Sequence, residues 1–169
     1  MGRRSTSRNK AAAGYTNWNW ITEQVAQGGF PGDPNRLIPT PQVFSIFDVV
    51  AFTAQEAIPR KVPTPAGKVA YRFPLDDDPY RPIPSEVAAY AHQFAQQLAK
   101  HVKQGHRVLI TCFQGVNRSG LITGLTIMYA YGFSGKQTVS LIRSRRKPET
   151  NHMVLGNPMF EQHLLAVRP

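Results

Sequence analysis

Cys112 is the only cysteine in the 169-residue sequence, and its surroundings give it work to do. It closes the apolar run Val108-Leu-Ile-Thr-Cys112 and is followed at once by Phe113-Gln-Gly115-Val-Asn-Arg118-Ser119-Gly120. A run of this composition favours a buried strand, and the stretch from Leu121 to Tyr131 reads as a buried helix. The residues between them form a tight loop that opens into a helix N-terminus. Unpaired amides and the positive end of the helix dipole make such a place an anion site. Gly115 lets the backbone curl so that the amides of Phe113, Gln114, Gly115, Val116, Asn117 and Arg118 converge on one point. Arg118 closes the ring with a planar guanidinium that holds two oxygens of one phosphate. A thiol on the floor of this electropositive cradle is favoured as thiolate, a competent nucleophile toward phosphorus. Ser119 adds a hydroxyl that can hydrogen-bond the sulfur when the thiolate has to leave.

The elements that must hold this loop follow from pattern. From Ser85 the apolar residues Val87, Tyr90, Phe94, Leu98 and Val102 recur three or four apart, with Ser85 as a cap and Gly105 as a stop, so a long helix precedes the Cys112 strand. Lys68 to Leu75 alternates, with Val69, Tyr71 and Phe73 on one face, and reads as a strand. Val43 to Phe52 reads as another buried strand. Ser134 and Gln137 make a capping box for a helix over Thr138 to Arg146, and a last helix covers Pro158 to Val167. Strand, long helix and strand in succession suit a parallel crossover. The expected fold is therefore α/β: a single compact domain with a central, mostly parallel sheet flanked by helices and the anion loop between a strand and a helix. A disordered basic tail over residues 1–14 precedes a catalytic domain over 15–169.

A second reactive group comes from Phe73-Pro-Leu-Asp76-Asp77-Asp78-Pro79, at the end of a strand and ahead of the long helix. A carboxyl there can protonate a leaving oxygen and later activate water. Spacing alone does not choose among Asp76, Asp77 and Asp78.

Cys112-x-x-Gly115-x-x-Arg118-Ser119 resembles the phosphate loop of the cysteine-dependent protein tyrosine phosphatases, in their dual-specificity branch. The resemblance extends from about Tyr15 to Leu165, through Trp20-Ile21-Thr22 and Gly28-Gly29-Phe30-Pro31 to Arg146-Lys-Pro148, Asn157, Phe160, Gln162 and Leu164. It implies a metal-free, cofactor-free hydrolase acting on phosphorylated protein through a phosphocysteine. Cys112 would be the nucleophile, Arg118 and the amides of residues 113–118 the phosphate ligands, and Ser119 the aid to thiolate departure. The general acid falls three residues after the proline, on Asp77, with Asp76 and Asp78 as alternatives. One departure is Thr111, where the family usually carries histidine.

Gly115-x-Asn117-Arg118-Ser119-Gly120 also resembles the loop of RNA 5'-triphosphatases of the same superfamily, with Gln114 as a departure, and RNA is an alternative substrate. A pseudophosphatase that binds phosphorylated partners without turnover is the other alternative, motivated by Thr111. Lys plus Arg is 20 against 10 Asp plus Glu, a formal +10 that favours anionic partners of either kind. A hydrophobic share of 41% excludes general disorder. One cysteine excludes an internal disulfide or a multi-cysteine metal site. The histidines His92, His101, His106, His152 and His163 show no metal-ligand spacing with carboxylates or cysteine. Arg143, Arg145, Arg146 and Lys147 fit either an anion-recruiting patch or a cationic helix end. Ser119 to Gly135 is uncharged but too short and too glycine-broken for a membrane span, and no signal-peptide core is present, so the cytoplasm is the expected compartment.

Overall fold

The computed structural model describes residues 14–168; the basic stretch Met1–Lys10 lies outside the described residues. The described residues form seven strands: β1 (Trp18–Trp20), β2 (Val25–Gly28), β3 (Gly32–Asp33), β4 (Ile38–Pro39), β5 (Val49–Ala54), β6 (Val69–Leu75) and β7 (Val108–Thr111). Among the described residues four α-helices follow or separate them: α1 (Ser85–Lys103), α2 (Arg118–Tyr131), α3 (Gly135–Arg145) and α4 (Pro158–Ala166). The main sheet has the order β1-β2-β7-β5-β6, parallel except for the β1 edge, while β3 and β4 form a small antiparallel ribbon.

Both faces of the sheet are buried, which is why its central strands are mainly apolar, with Gln27, Thr53 and Thr111 as buried polar residues near their carboxyl ends. The period of two sorts their side chains. Val49 and Ala51 of β5, with Val108 and Ile110 of β7, join Leu98 of α1, Leu125 of α2 and Leu164 of α4 in one core. Val50 and Phe52 of β5, with Leu109 of β7, join Trp18, Phe44 and Phe47 in a second core, to which no α-helix among the described residues contributes a buried side chain. Trp18 is wholly buried there, edge-on to both Trp20 and Phe47.

The strand expected over Val43–Phe52 is divided. Pro41–Ser45 is a 3-10 turn, and the strand begins at Val49 and runs on to Ala54. Pro41 starts the turn, and the spacing of Val43, Phe44, Ile46 and Phe47 buries all four under one face, so the same apolar residues that suit a strand are used as a short helical cover. Asp48 pins the junction by accepting from the Arg107 amide (2.8 Å) and from Lys68 Nζ (2.9 Å).

In α1 the stripe facing the core is Ala91, Phe94, Ala95, Leu98 and Val102; Tyr90 points outward and is exposed. Pro84, not Ser85, occupies the capping position, and Ser85 is the first helical residue with no side-chain cap bond. The C-terminal stop is as expected: Gly105 takes φ 85°, and His106 N–H and Gly105 N–H reach back to the carbonyls of His101 and Val102. At α3 the reciprocal box of Ser134 and Gln137 is formed, one turn earlier than the expected helix start. β6 and β7 run parallel across α1, with β5 between them.

Candidate active site

The carboxyl ends of the four parallel strands meet at one edge, the usual position for a site in an open α/β sheet. β7 ends at Thr111 and delivers Cys112; β5 ends at Ala54 and delivers Glu56; β6 ends at Leu75 and delivers Asp77; β2 ends at Gly28 and delivers Gly29. Glu56, Asp77, Cys112 and Arg118 line one open cavity of about 540 Å³.

The loop from Cys112 to Arg118 is shaped by what its carbonyls do. Phe113 O accepts from Phe30 N–H (3.0 Å), Val116 O from Leu155 N–H (3.1 Å) and Asn117 O from Leu121 N–H (2.8 Å). Gln114 O accepts from Arg146 Nη2 (3.1 Å), and Gly115 O from both Arg146 Nε (2.9 Å) and Gln27 Nε2 (3.1 Å). Four successive carbonyls, 113–116, are thus tied to donors outside the loop and the fifth to α2, and because a trans peptide points its N–H opposite its C=O, the amides of residues 114–118 face the other way. Gly115 sits at φ 76°, and a Cβ there would lie 2.4 Å from Arg146 Nη2, so glycine is required by both conformation and space.

Arg146 is fully buried and forms no ion pair among the described residues. It also donates to Asn17 Oδ1 (2.6 Å) and Asn19 Oδ1 (2.8 Å) from the β1 side. Arg143 is likewise committed, by a fork to Glu161 and by bonds to the carbonyls of Val154 and Leu155. These two arginines hold the fold together and are not a free anion-recruiting patch.

Cys112 is buried at the loop's floor. Its Sγ accepts from Gly115 N–H (3.2 Å), and the thiol donates to Ser119 Oγ (3.2 Å); with a thiolate that second contact reverses and the hydroxyl donates. Thr111 Oγ1 donates to Ala51 O (2.8 Å), so the residue standing in the family's histidine position is tied to β5.

Arg118 is gripped by Glu56, Nη2 to Oε1 at 2.6 Å and Nη1 to Oε2. Its Nε is buried without a protein partner. Burial would lower the basicity of Arg118, but the hydrogen bonds and charge of Glu56, together with Cys112 and Asp77, carry its pKa upward. In return the guanidinium's hydrogen bonds hold the Glu56 carboxyl below its usual value, against the opposing effect of burial.

Of the three adjacent aspartates, Asp77 alone lines the cavity. Its carboxylate accepts from Asn117 Nδ2 (3.0 Å) and Asn157 Nδ2 (2.7 Å), and Asn117 Oδ1 in turn accepts from Asn157 N–H (3.0 Å). Asp76 and Asp78 instead accept from the nearby backbone amides of Asp77 and Tyr80, and Asp78 also faces Arg81. The rim carries Phe113, Met153 and His152, whose Nδ1 lies 2.7 Å from Gln114 Oε1.

The structure therefore brings Cys112, Arg118 and Asp77 to one cavity, with Ser119 buried behind it against Cys112 Sγ and the Gly115 amide on the same sulfur. The contact of Glu56 with Arg118, the bracing of the loop by Arg146 and the place of His152 on the rim are not visible in the sequence. Glu56 carried one usable signal, an acid just past a strand end; the other two depend on contacts between distant segments.

Residues 42–165 match the family model for the dual specificity phosphatase catalytic domain. The chain belongs to that family. Dual specificity phosphatases are cysteine-dependent phosphatases, and the match spans Glu56, Asp77, the Cys112 loop and Asn157. Among solved structures the chain is similar to human DUSP28, with 18% identity and a TM-score of 0.61 over 89% of this chain and 96% of that one. It is also similar to Cydia pomonella PTP-2, with 21% identity and a TM-score of 0.60 over 88% of each chain. A third is the tyrosine phosphatase OH1 of Orf virus, with 20% identity and a TM-score of 0.59 over 88% of this chain and 84% of that one. At these identities the likeness establishes the phosphatase fold. No curated protein matches the chain by sequence. Among the described residues no helix of this dual specificity phosphatase is long and apolar enough to cross a membrane.

Proposed function

We propose that this phosphatase hydrolyses phosphotyrosine, and phosphoserine or phosphothreonine where they reach the cavity floor, through a phosphocysteine. The observation that carries this reading is the placement of Cys112 Sγ inside the ring of loop amides with Asp77 on the same cavity. The Cys112 thiolate attacks phosphorus while the ester P–O bond breaks, and Asp77 gives its proton to the departing oxygen. Arg118 Nε and the loop amides receive the equatorial oxygens, whose charge they stabilise more strongly in the transition state. Water then attacks the phosphocysteine, Asp77 takes its proton, inorganic phosphate forms, and Ser119 donates to the thiolate that is released.

The catalytic unit in this reading runs from Tyr15 to the C-terminus, because Asn17 and Asn19 support the loop through Arg146. The apolar rim of Phe113 and Met153 suits an aryl phosphate. Arg118 is the only arginine or lysine among the cavity-lining residues, and Asn117 is engaged with Asp77, so the lining offers a single phosphate site rather than a triphosphate track.

The test is turnover of a small aryl phosphate and a phosphotyrosine peptide with EDTA present, wild type beside Cys112→Ser, and 5'-triphosphorylated RNA in parallel. Peptide turnover lost in Cys112→Ser is expected. Preference for the RNA overturns the substrate reading, and binding of phosphate analogues without turnover leaves a pseudophosphatase.

A further inference from the structure

Away from the catalytic cavity the molecule carries a second open groove of about 660 Å³, between the β3–β4 ribbon and the segment that follows Glu56. One wall holds Arg36, Leu37 and Ile38, and the other Arg60, Lys61 and Pro63. Leu37 takes a left-handed backbone at φ 57°, uncommon for a residue with a Cβ, and the next residue, Ile38, is 58% exposed. A large aliphatic side chain displayed between cations is the composition of a binding surface. Arg60 and Lys61 form no ion pair among the described residues, and Arg36 has only the exposed Asp33 at 3.7 Å.

Both walls are continuous with the catalytic loop. Phe30 N–H donates to Phe113 O, and the next residue's carbonyl, Pro31 O, accepts from Thr40 N–H (2.7 Å), between the groove-lining Pro39 and Pro41. On the other side Glu56, which holds Arg118, precedes Arg60 by four residues, at most about 14 Å of extended chain. The groove is thus built on the same two segments that brace the catalytic loop and hold Arg118.

We propose that this groove docks an acidic, apolar stretch of the phosphoprotein substrate, flanking the phosphorylated residue. The proposal rests on the phosphatase reading above and adds a sequence preference to it. Charge selects acids: three cations face the groove, and the chain's formal +10 disfavours both a second copy and its own basic N-terminal stretch as the occupant. The lining selects a peptide over RNA, because leucine, isoleucine and proline supply contact area but no aromatic platform for stacking bases. Acidic side chains paired with Arg60 and Lys61 at the rim add encounter rate and orientation, and Ile38 supplies the desolvated contact.

The test compares phosphotyrosine peptides with an acidic-apolar flank and with a Gly/Ser flank, using wild type and an Ile38→Ser/Arg60→Glu/Lys61→Glu variant. The flanked peptide is expected to have about tenfold higher kcat/KM on wild type, an advantage lost in the variant, with small aryl phosphate turnover unchanged in both. Equal kcat/KM for the two peptides on wild type, or an advantage that survives in the variant, overturns the proposal. Fluorescence anisotropy of the unphosphorylated acidic-apolar peptide reads the groove without catalysis, so failure of the phosphatase reading is seen separately as absent aryl phosphate turnover. Tighter binding of single-stranded RNA than of the peptide, or a dimer in solution that masks the groove, also overturns it.

Discussion

Glu56 holds Arg118 by both terminal nitrogens of the guanidinium and leaves its Nε buried with no protein partner. The carboxylate fixes the plane of the fork, and in the proposed mechanism Nε is the donor left for substrate. Glu56 is itself 53% exposed on its side chain, so solvent screens part of the pairing. Glu56→Ala is expected to lower kcat/KM for a phosphotyrosine peptide about tenfold by releasing Arg118, with Glu56→Gln intermediate. Steady-state kinetics with inorganic phosphate as competitor checks this; unchanged phosphate inhibition in Glu56→Ala contradicts it.

Arg146 is the donor behind the loop. Replacing it with methionine takes the donor from Gln114 O and Asn17 Oδ1, and leaves Gly115 O with Gln27 alone and Asn19 Oδ1 with the Lys147 amide alone. The expected loss is about 2–4 kcal/mol of stability, with a larger proportional loss of activity because the loop amides lose their inward set. Arg146→Lys is not expected to rescue, since an ammonium cannot reproduce the fork. Urea unfolding beside aryl phosphate turnover measures both.

Gly115→Ala places a Cβ 2.4 Å from Arg146 Nη2 and from the Gly28 carbonyl carbon, at a φ that alanine resists. Because backbone lies on that side, the loop has to shift, and turnover is expected to fall by about a hundredfold or more, consistent with misplaced transition-state donors. A variant with wild-type kcat/KM contradicts the assigned loop geometry.

Asp77 gives a leaving-group signature. Asp77→Asn is expected to reduce phosphotyrosine turnover by about 10² to 10³ and to affect an activated aryl phosphate much less, because a good leaving group needs no proton. Asn157→Ala, which removes one of the two amides positioning that carboxylate, is expected to show the same pattern in weaker form. Asp76→Asn and Asp78→Asn are expected to show no such leaving-group dependence.

Stability is expected to fall on mild acidification. His92 and His163 face each other with their Nε2 atoms 2.8 Å apart, and His92 Nδ1 meets Tyr129. His101 and His106 pair through Nδ1 at 3.0 Å, and His101 Nε2 meets Tyr71. Burial lowers the pKa of His92, His101 and His163 below the ordinary value, with the partner histidine adding for the latter two. A depressed folded-state pKa means the unfolded chain binds more protons, so this stability is complete above about pH 6.5 and is lost as pH falls through the folded-state values. Urea midpoints at about pH 7.5 and 5.5 should differ in that direction, and less in His163→Gln.

What the sequence disclosed followed the range of the interactions. The Ser134–Gln137 box, the Gly105 stop and the strand-loop-helix around Cys112 are set by neighbours in the chain, and each was legible. The helical cover at Pro41–Ser45 was not, because Val43 to Phe52 is equally apolar as strand or short helix and only packing beneath Trp18 and Phe47 decides between them. Glu56 meets Arg118 across 62 residues and Arg146 meets Asn17 across 129, separations over which pattern carries no signal. Resemblance alone chooses Asp77 among the three aspartates; in the structure two asparagine amides hold this one carboxylate at the cavity, a placement that no sequence pattern carries.

The most direct measurement is acid quench of the enzyme during turnover of a labelled phosphotyrosine peptide, with mass spectrometric mapping of the trapped phosphate. The account predicts phosphate on Cys112 in wild type, more of it in Asp77→Asn with an activated aryl phosphate, and none in Cys112→Ser. Turnover with phosphate trapped on another residue, or turnover that persists in Cys112→Ser, contradicts it.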